Sequence, residues 1–162
     1  VFELIALGRQ PYTNWIDTLS TTDLEKIETA IKQTEIGHLK NQRFYELSDG
    51  QLQRVLIARA LAQDTDVIIL DEPTAHLDMH QTINIFSLLQ QLVKQTNKTI
   101  IVSSHEINLA LKLSDEIILL TENNLQFGTT EALIAKNAFD KLFPNNLLKF
   151  NKSLQQFVIN KT

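Results

Sequence analysis

Two short aliphatic runs constrain this chain more than any other feature. Residues 67–70 read VIIL and residues 99–102 read TIIV. Neither run alternates polar with apolar positions. Each therefore predicts a strand buried on both faces, the pattern of a parallel sheet. The segment from about Gln81 to Gln95 has a helical pattern. Strand, helix, strand is a βαβ unit, and its long crossover makes the two strands parallel. In open sheets of this kind ligands sit at the carboxyl ends of the strands. The residues that close each run carry the interest: Asp71 and Glu72 after the first, Ser-Ser-His-Glu after the second.

The flanks are mixed. Phe2 to Leu7 is apolar and runs into Gly8-Arg9-Gln10-Pro11, a stop. Thr22 with Glu25 has capping-box spacing, with Leu24, Ile27 and Ile31 following at helical intervals and Gly37 as a stop. A second helix starts at Ser48, with Leu52, Val55, Leu56, Ile57 and Leu61 as its apolar stripe. Beyond the second strand come a short helix, Glu106 to Leu113, and a third strand, Glu116 to Leu120. Asn123-Asn124 reads as a hairpin turn into Leu125–Phe127. The tail predicts a helix near Phe139 to Phe143 and a small hairpin from Leu147 to Ile159.

Composition narrows the class. The chain has 162 residues, 43% hydrophobic and 21% charged, enough for a real core in an ordinary globular domain. Its net charge of −4 leans against a nucleic-acid binder. The absence of cysteine excludes disulfides and thiolate metal sites, and fits a reducing compartment. No apolar run is long enough to span a bilayer and there is no signal peptide, so any membrane link runs through a partner.

Three stretches carry chemistry. Ser48 and Gln51 have capping-box spacing at a helix start. The plain reading is a well-capped helix. The sharper one is a phosphate site, because first-turn amides are unpaired and sit at the positive end of the dipole. Gly50 would let the backbone approach closely and Ser48 would add a hydroxyl. Asp71 and Glu72 close a strand and are followed by Pro73 and Thr74, which force a turn. Asp71 suits Mg²⁺ held through its water shell. Glu72 suits proton removal from an attacking water. His105 follows the next parallel strand, so it is expected on the same edge as the acids. His38, His76 and His80 are read as structural.

Together these stretches resemble the ATP-binding-cassette ATPases. LSDGQLQR, residues 47–54, resembles the family signature. VIILDEP resembles the Walker B strand with its following glutamate, TAHLD the D-loop, and SSHE the switch-histidine loop. The resemblance implies an α/β fold, a partial P-loop NTPase-like cassette with a parallel-sheet core, flanking helices and a helical signature subdomain. It divides the chain into a helical subdomain (1–63), the C-terminal part of the RecA-like core (64–135), and a closing helix and hairpin (136–162). Two such cassettes pair head to tail, with ATP and Mg²⁺ between them. By that likeness Ser48, Asp49, Gly50 and Gln51 serve the partner's nucleotide and Asp78 reaches the neighbouring subunit. Asp71 holds Mg²⁺ through water, Glu72 is the base or water-orienter, and His105 binds the γ-phosphate and attacking water. Such catalysis is mostly positioning and electrostatics.

Two departures stand out. Asp49 occupies a position where the family carries glycine, and its carboxylate is expected to point away from phosphate. No G-x-x-x-x-G-K-[ST] loop occurs in the sequence and no Q-loop precedes Phe2. The chain also begins with Val1. The resemblance is therefore to a C-terminal portion of a cassette, expected to be inactive alone and prone to self-association through exposed sheet surface.

The branch follows from VFELIALGRQPYTNW. It is similar to the segment that opens the helical subdomain in importers of iron chelates, haem and cobalamin. The implied partners are a second cassette, integral-membrane permease subunits and, indirectly, a substrate-binding protein, with no nucleic acid. The implied place is cytoplasmic, peripheral on the inner face of the cell membrane. Two alternatives stay open: a soluble cassette ATPase of DNA repair or translation, and a non-hydrolysing binding or regulatory module.

Overall fold

The computed structural model describes residues 1–13, 18–121, 124–143 and 148–160. They form two compact units, Val1–Ser103 and Ser104–Thr162. Asn14-Trp15, Asn123 of the expected hairpin turn, and Leu147 at the start of the expected last hairpin lie outside the described residues.

In the first unit helix α1, Phe2–Ala6, passes straight into a 3₁₀ segment, Leu7–Tyr12, with Pro11 inside it. Gly8 to Pro11 tightens the helix instead of stopping it. Arg9 is 7% exposed. Its Nε donates to Asp23 Oδ1 at 2.8 Å and its guanidinium donates to the Ala62 carbonyl at 2.9 Å.

Helix α2, Thr21–Gln33, is capped by Ser20. The Ser20 hydroxyl accepts from the Asp23 N–H at 3.2 Å, and Asp23 Oδ2 accepts from the Ser20 N–H at 2.9 Å. The box predicted at Thr22 and Glu25 thus forms two residues earlier. Ser20-x-x-Asp23 has the same spacing, and Asp23 is also held by Arg9. Ser20's hydroxyl first, then its N–H, then Arg9 hold the Asp23 carboxyl at about 2, below its ordinary 3.8. Ile27, Ala30 and Ile31 are buried, whereas Leu24 is exposed. The helix ends at Thr34, and Gly37 opens a separate 3₁₀ turn.

Helix α3, Asp49–Ala62, buries Val55, Ile57, Ala58, Leu61 and Ala62. Strand β1, Val67–Leu70, helix α4, Met79–Thr96, and strand β2, Thr99–Val102, form the expected βαβ unit. The strands pair in parallel, from Val67 opposite Thr99 to Leu70 opposite Val102. Asn97 closes α4 at φ 54°, a left-handed position that asparagine tolerates.

Burial on both faces of these strands is overturned. Ile68 is 5% exposed, but Ile69 is 73% exposed, and Val67 and Ile101 are also exposed. Leu70, Ile100 and Val102 turn toward the helical core with Ile68. Aliphatic residues on both faces record two apolar surfaces, and within this unit the helices cover one.

One core joins Ile5, Ile27, Ile57, Ile68, Ile85 and Leu92. It runs across residue 63, where the helical subdomain was expected to end. Packing divides the chain after Ser103.

The second unit begins with α5, Ile107–Leu113, then β3, Ile117–Thr121, and β4, Asn124–Gly128. β3 and β4 pair as an antiparallel hairpin. Helix α6, Thr130–Ala135, is capped by Thr129, and a 3₁₀ turn, Ala138–Lys141, stands where a tail helix was predicted. Strands β5, Leu148–Asn151, and β6, Gln156–Ile159, close the unit as an antiparallel pair. Asn108 pins β6 to α5: its Nδ2 donates to the Phe157 carbonyl and its Oδ1 accepts from the Phe157 N–H. Phe139, Phe150 and Phe157 stack around Leu111 and Leu133. Among the described residues no helix is long and apolar enough to cross a membrane.

Candidate nucleotide site

The start of α3 is built by its sequence. Ser48 is extended, with φ −68° and ψ 160°, and caps the helix. Gln51 Oε1 accepts from the Ser48 N–H at 3.0 Å, and the Ser48 hydroxyl accepts from the Gln51 N–H at 3.4 Å. This is the reciprocal box the spacing predicts. Ser48 and Asp49 are exposed. The amides of Asp49 and Gly50 belong to the first turn and have no acceptor within the helix. Asp49 sits as the first helical residue, where a carboxylate suits the dipole.

Gly50 is buried, and its closeness serves a neighbour within the chain. A Cβ placed there would lie 2.6 Å from Gln81 Oε1 and 3.0 Å from Gln81 Cδ. Gln81 lies in the first turn of α4, whose cap is Asp78: Asp78 Oδ1 accepts from the Gln81 N–H at 2.8 Å. The starts of α3 and α4 therefore meet at Gly50 and Gln81. Asp78, expected to reach a neighbouring subunit, commits one carboxylate oxygen to this cap.

The acid pair lies at the carboxyl end of β1. Asp71 and Glu72 are both exposed. Glu72 has φ 45°, left-handed for a side chain that disfavours it, and His76 has φ 67°. Such a conformation costs on the order of 1–3 kcal/mol and marks a chain held by its surroundings. The turn that follows is bonded: the Ala75 N–H donates to the Glu72 carbonyl and the Leu77 N–H to the Thr74 carbonyl. Pro73 and Thr74 are buried beneath it.

Ser103, one residue past β2, joins this cluster. Its N–H donates to the Leu70 carbonyl at 3.0 Å, which continues the parallel ladder. Its hydroxyl donates to Asp71 Oδ1 at 2.6 Å and accepts from the Glu72 N–H at 2.9 Å. Sequence reading gave Ser103 no role. The signal was present: two four-residue strands in register end together, so the residues after them face each other.

His105 belongs to the second unit, where it is exposed in the loop before α5. Its carbonyl accepts from the Ile107 N–H at 2.9 Å, and Ser104 Oγ caps the Glu106 N–H at 3.0 Å. His80 Nδ1 lies 3.2 Å from Asn84 Nδ2, a contact within one helix face. Among the described residues no group of three or more His, Cys, Asp or Glu could enclose a metal ion.

A family model described as ABC transporter matches residues 5–75. The achromobactin transport ATP-binding protein CbrD of Dickeya dadantii is 43% identical over 118 residues, 73% of this chain and 44% of its own length. The petrobactin import ATP-binding protein FpuD of Bacillus anthracis is 38% identical over 125 residues, 77% of this chain and 46% of its own length. A solved dimeric bacterial ABC transporter cassette aligns with a TM-score of 0.61 at 30% identity, over 79% of this chain and 55% of that one. The chain spans about half the length of the curated relatives it matches. With its signature-like cap, its acid pair at parallel strand ends and these likenesses together, the chain belongs to the ABC transporter ATP-binding cassette family.

Proposed function

We propose that this chain supplies the signature helix and the acid-bearing strands of an ATPase subunit that drives import of an iron chelate. The observation that carries the reading is the Asp71–Glu72 pair held by Ser103 at the carboxyl end of two parallel strands. The cargo reading is supported by relatives named for siderophore, achromobactin and petrobactin transport. It favours an iron chelate over haem or cobalamin.

In this reading Asp71 holds Mg²⁺ through water and Glu72 takes a proton from, or orients, the attacking water. His105 binds the γ-phosphate. Ser48, Asp49, Gly50 and Gln51 present the first-turn amides of α3 to the nucleotide of a second cassette. Asp78 faces that second cassette across the dimer. ATP supplies the phosphoryl group, and the residues named here contribute position and charge. Gln51 acts through its main chain, since its Oε1 is engaged with Ser48.

The subunit would work as a head-to-tail dimer, on membrane-embedded permease subunits at the cytoplasmic face, receiving cargo from a substrate-binding protein. The 162 residues include no G-x-x-x-x-G-K-[ST] loop. By themselves they are expected neither to bind ATP tightly nor to hydrolyse it. The test is ATP-driven uptake into proteoliposomes by the assembled transporter, offered a ferric siderophore, haem, cobalamin or Mn²⁺. Uptake of the ferric siderophore alone is expected, and uptake of only one of the others would overturn the cargo reading.

A further inference from the structure

We propose that Ser103 is a positioning residue of the acid pair: its hydroxyl ties the Asp71 carboxylate to the Glu72 main chain, so the metal-holding and water-activating groups keep one spacing. The proposal rests on the function proposed above and adds a residue to its machinery.

A serine hydroxyl has one proton to donate and lone pairs to accept. Here the proton goes to Asp71 Oδ1 at 2.6 Å, in the range of a charge-assisted bond. A lone pair takes the Glu72 N–H at 2.9 Å. The two acids are adjacent in sequence, yet Glu72 turns left-handed directly after the strand. Left-handed glutamate persists only where neighbours restrain it. Ser103 is such a neighbour, and its own place is set by the ladder bond from its N–H to the Leu70 carbonyl. A serine acting only as a solvated strand end would not engage both acids. Threonine keeps the hydroxyl at this extended position, and alanine removes it with little change in volume.

The experiment has two arms. In the assembled transporter, steady-state ATP hydrolysis is measured for wild type, Ser103→Ala, Ser103→Thr and Glu72→Gln. Ser103→Ala is expected to lower kcat about 10- to 100-fold, the scale of a small misplacement of reacting groups. KM for ATP should stay within about twofold, because ground-state binding is untouched. Ser103→Thr should restore most of the rate. In the 162-residue chain, amide hydrogen exchange at Glu72 should quicken in Ser103→Ala and not in Ser103→Thr.

Wild-type kcat in Ser103→Ala, beside an inactive Glu72→Gln, would overturn the proposal and leave the function reading standing. Equal losses in the Ala and Thr variants would also overturn it, since the hydroxyl would then not matter. Full turnover by Glu72→Gln would instead overturn the function reading, and the proposal with it.

Discussion

Replacing Gly8 by alanine drives a methyl group into the backbone of α3. A Cβ at Gly8 lies 2.3 Å from the Arg59 carbonyl oxygen and 3.3 Å from the Ala62 Cβ. A comfortable contact is about 3.5 Å, so the overlap with the oxygen is roughly 1 Å. The oxygen belongs to a helix and has no rotamer by which to retreat. The 3₁₀ segment must move instead, and Arg9 beside it would loosen its bonds to Ala62 and Asp23. Overpacking of this kind costs about 1–3 kcal/mol. The stiffer unfolded chain returns about 0.4–1 kcal/mol, leaving a net loss of roughly 1–2 kcal/mol. For a chain of this size that lowers Tm by roughly 2–8 °C. The assay is urea unfolding followed by circular dichroism. Gly37→Ala is the control, because a Cβ at Gly37 meets nothing within 4 Å. Gly37→Ala should match or exceed wild type. Equal stability of the two variants would refute the close packing of Gly8 on α3.

Other perturbations read different parts of the structure. The Asp23 carboxyl stands at about 2 in the fold against an ordinary 3.8, so its contribution is present above pH 3.8 and fades as pH falls toward 2. Asp23→Asn should flatten that part of the acid-unfolding curve, and an unchanged slope would contradict the assignment. Ser48→Ala should cost about 1 kcal/mol through the lost cap, read by urea unfolding, with no cost counting against the observed box. The exposed face of Val67, Ile69 and Ile101 should make the isolated chain self-associate, and Ile69→Lys should reduce this in light scattering. A monodisperse wild type at high concentration would contradict that expectation. Isothermal titration of the isolated chain with Mg-ATP should show no tight binding, and a micromolar Kd would overturn the dependence on a phosphate loop.

Much of the fold was legible because local chemistry and tertiary structure agree in places. The Ser48 and Gln51 pair capped the helix as spaced, and the two aliphatic runs paired in parallel with a helix between. Elsewhere a local pattern had a competitor. Thr22 with Glu25 lost to Ser20 with Asp23 because Asp23 answers to Arg9, a partner fourteen residues away that no local window contains. Leu24 and Leu56 fit the helical period but face water, since the period sets a face and packing sets its width. Burial of both faces of β1 was inferred from an unbroken aliphatic run, yet such a run states what a strand can bury, not what covers it.

The site divides along the same line. Ser48, Asp71 and Glu72 were readable because each belongs to a motif with its mechanism inside the window. Ser103 and Gln81 were not, because their importance is relational: one matters by register with Asp71, the other by its closeness to Gly50. Gly50 shows how one residue type serves two readings. Its bare backbone was assigned to a phosphate, and in the chain it also admits Gln81.

The central claim is that Glu72 works on the water that attacks ATP. The most direct test is single-turnover ATP hydrolysis by the assembled transporter with wild-type or Glu72→Gln protein, with nucleotide occupancy measured in the same samples. The account predicts that Glu72→Gln loses about 10²- to 10⁴-fold in rate while ATP remains bound, as for a lost general base. Hydrolysis at the wild-type rate with full occupancy would contradict it.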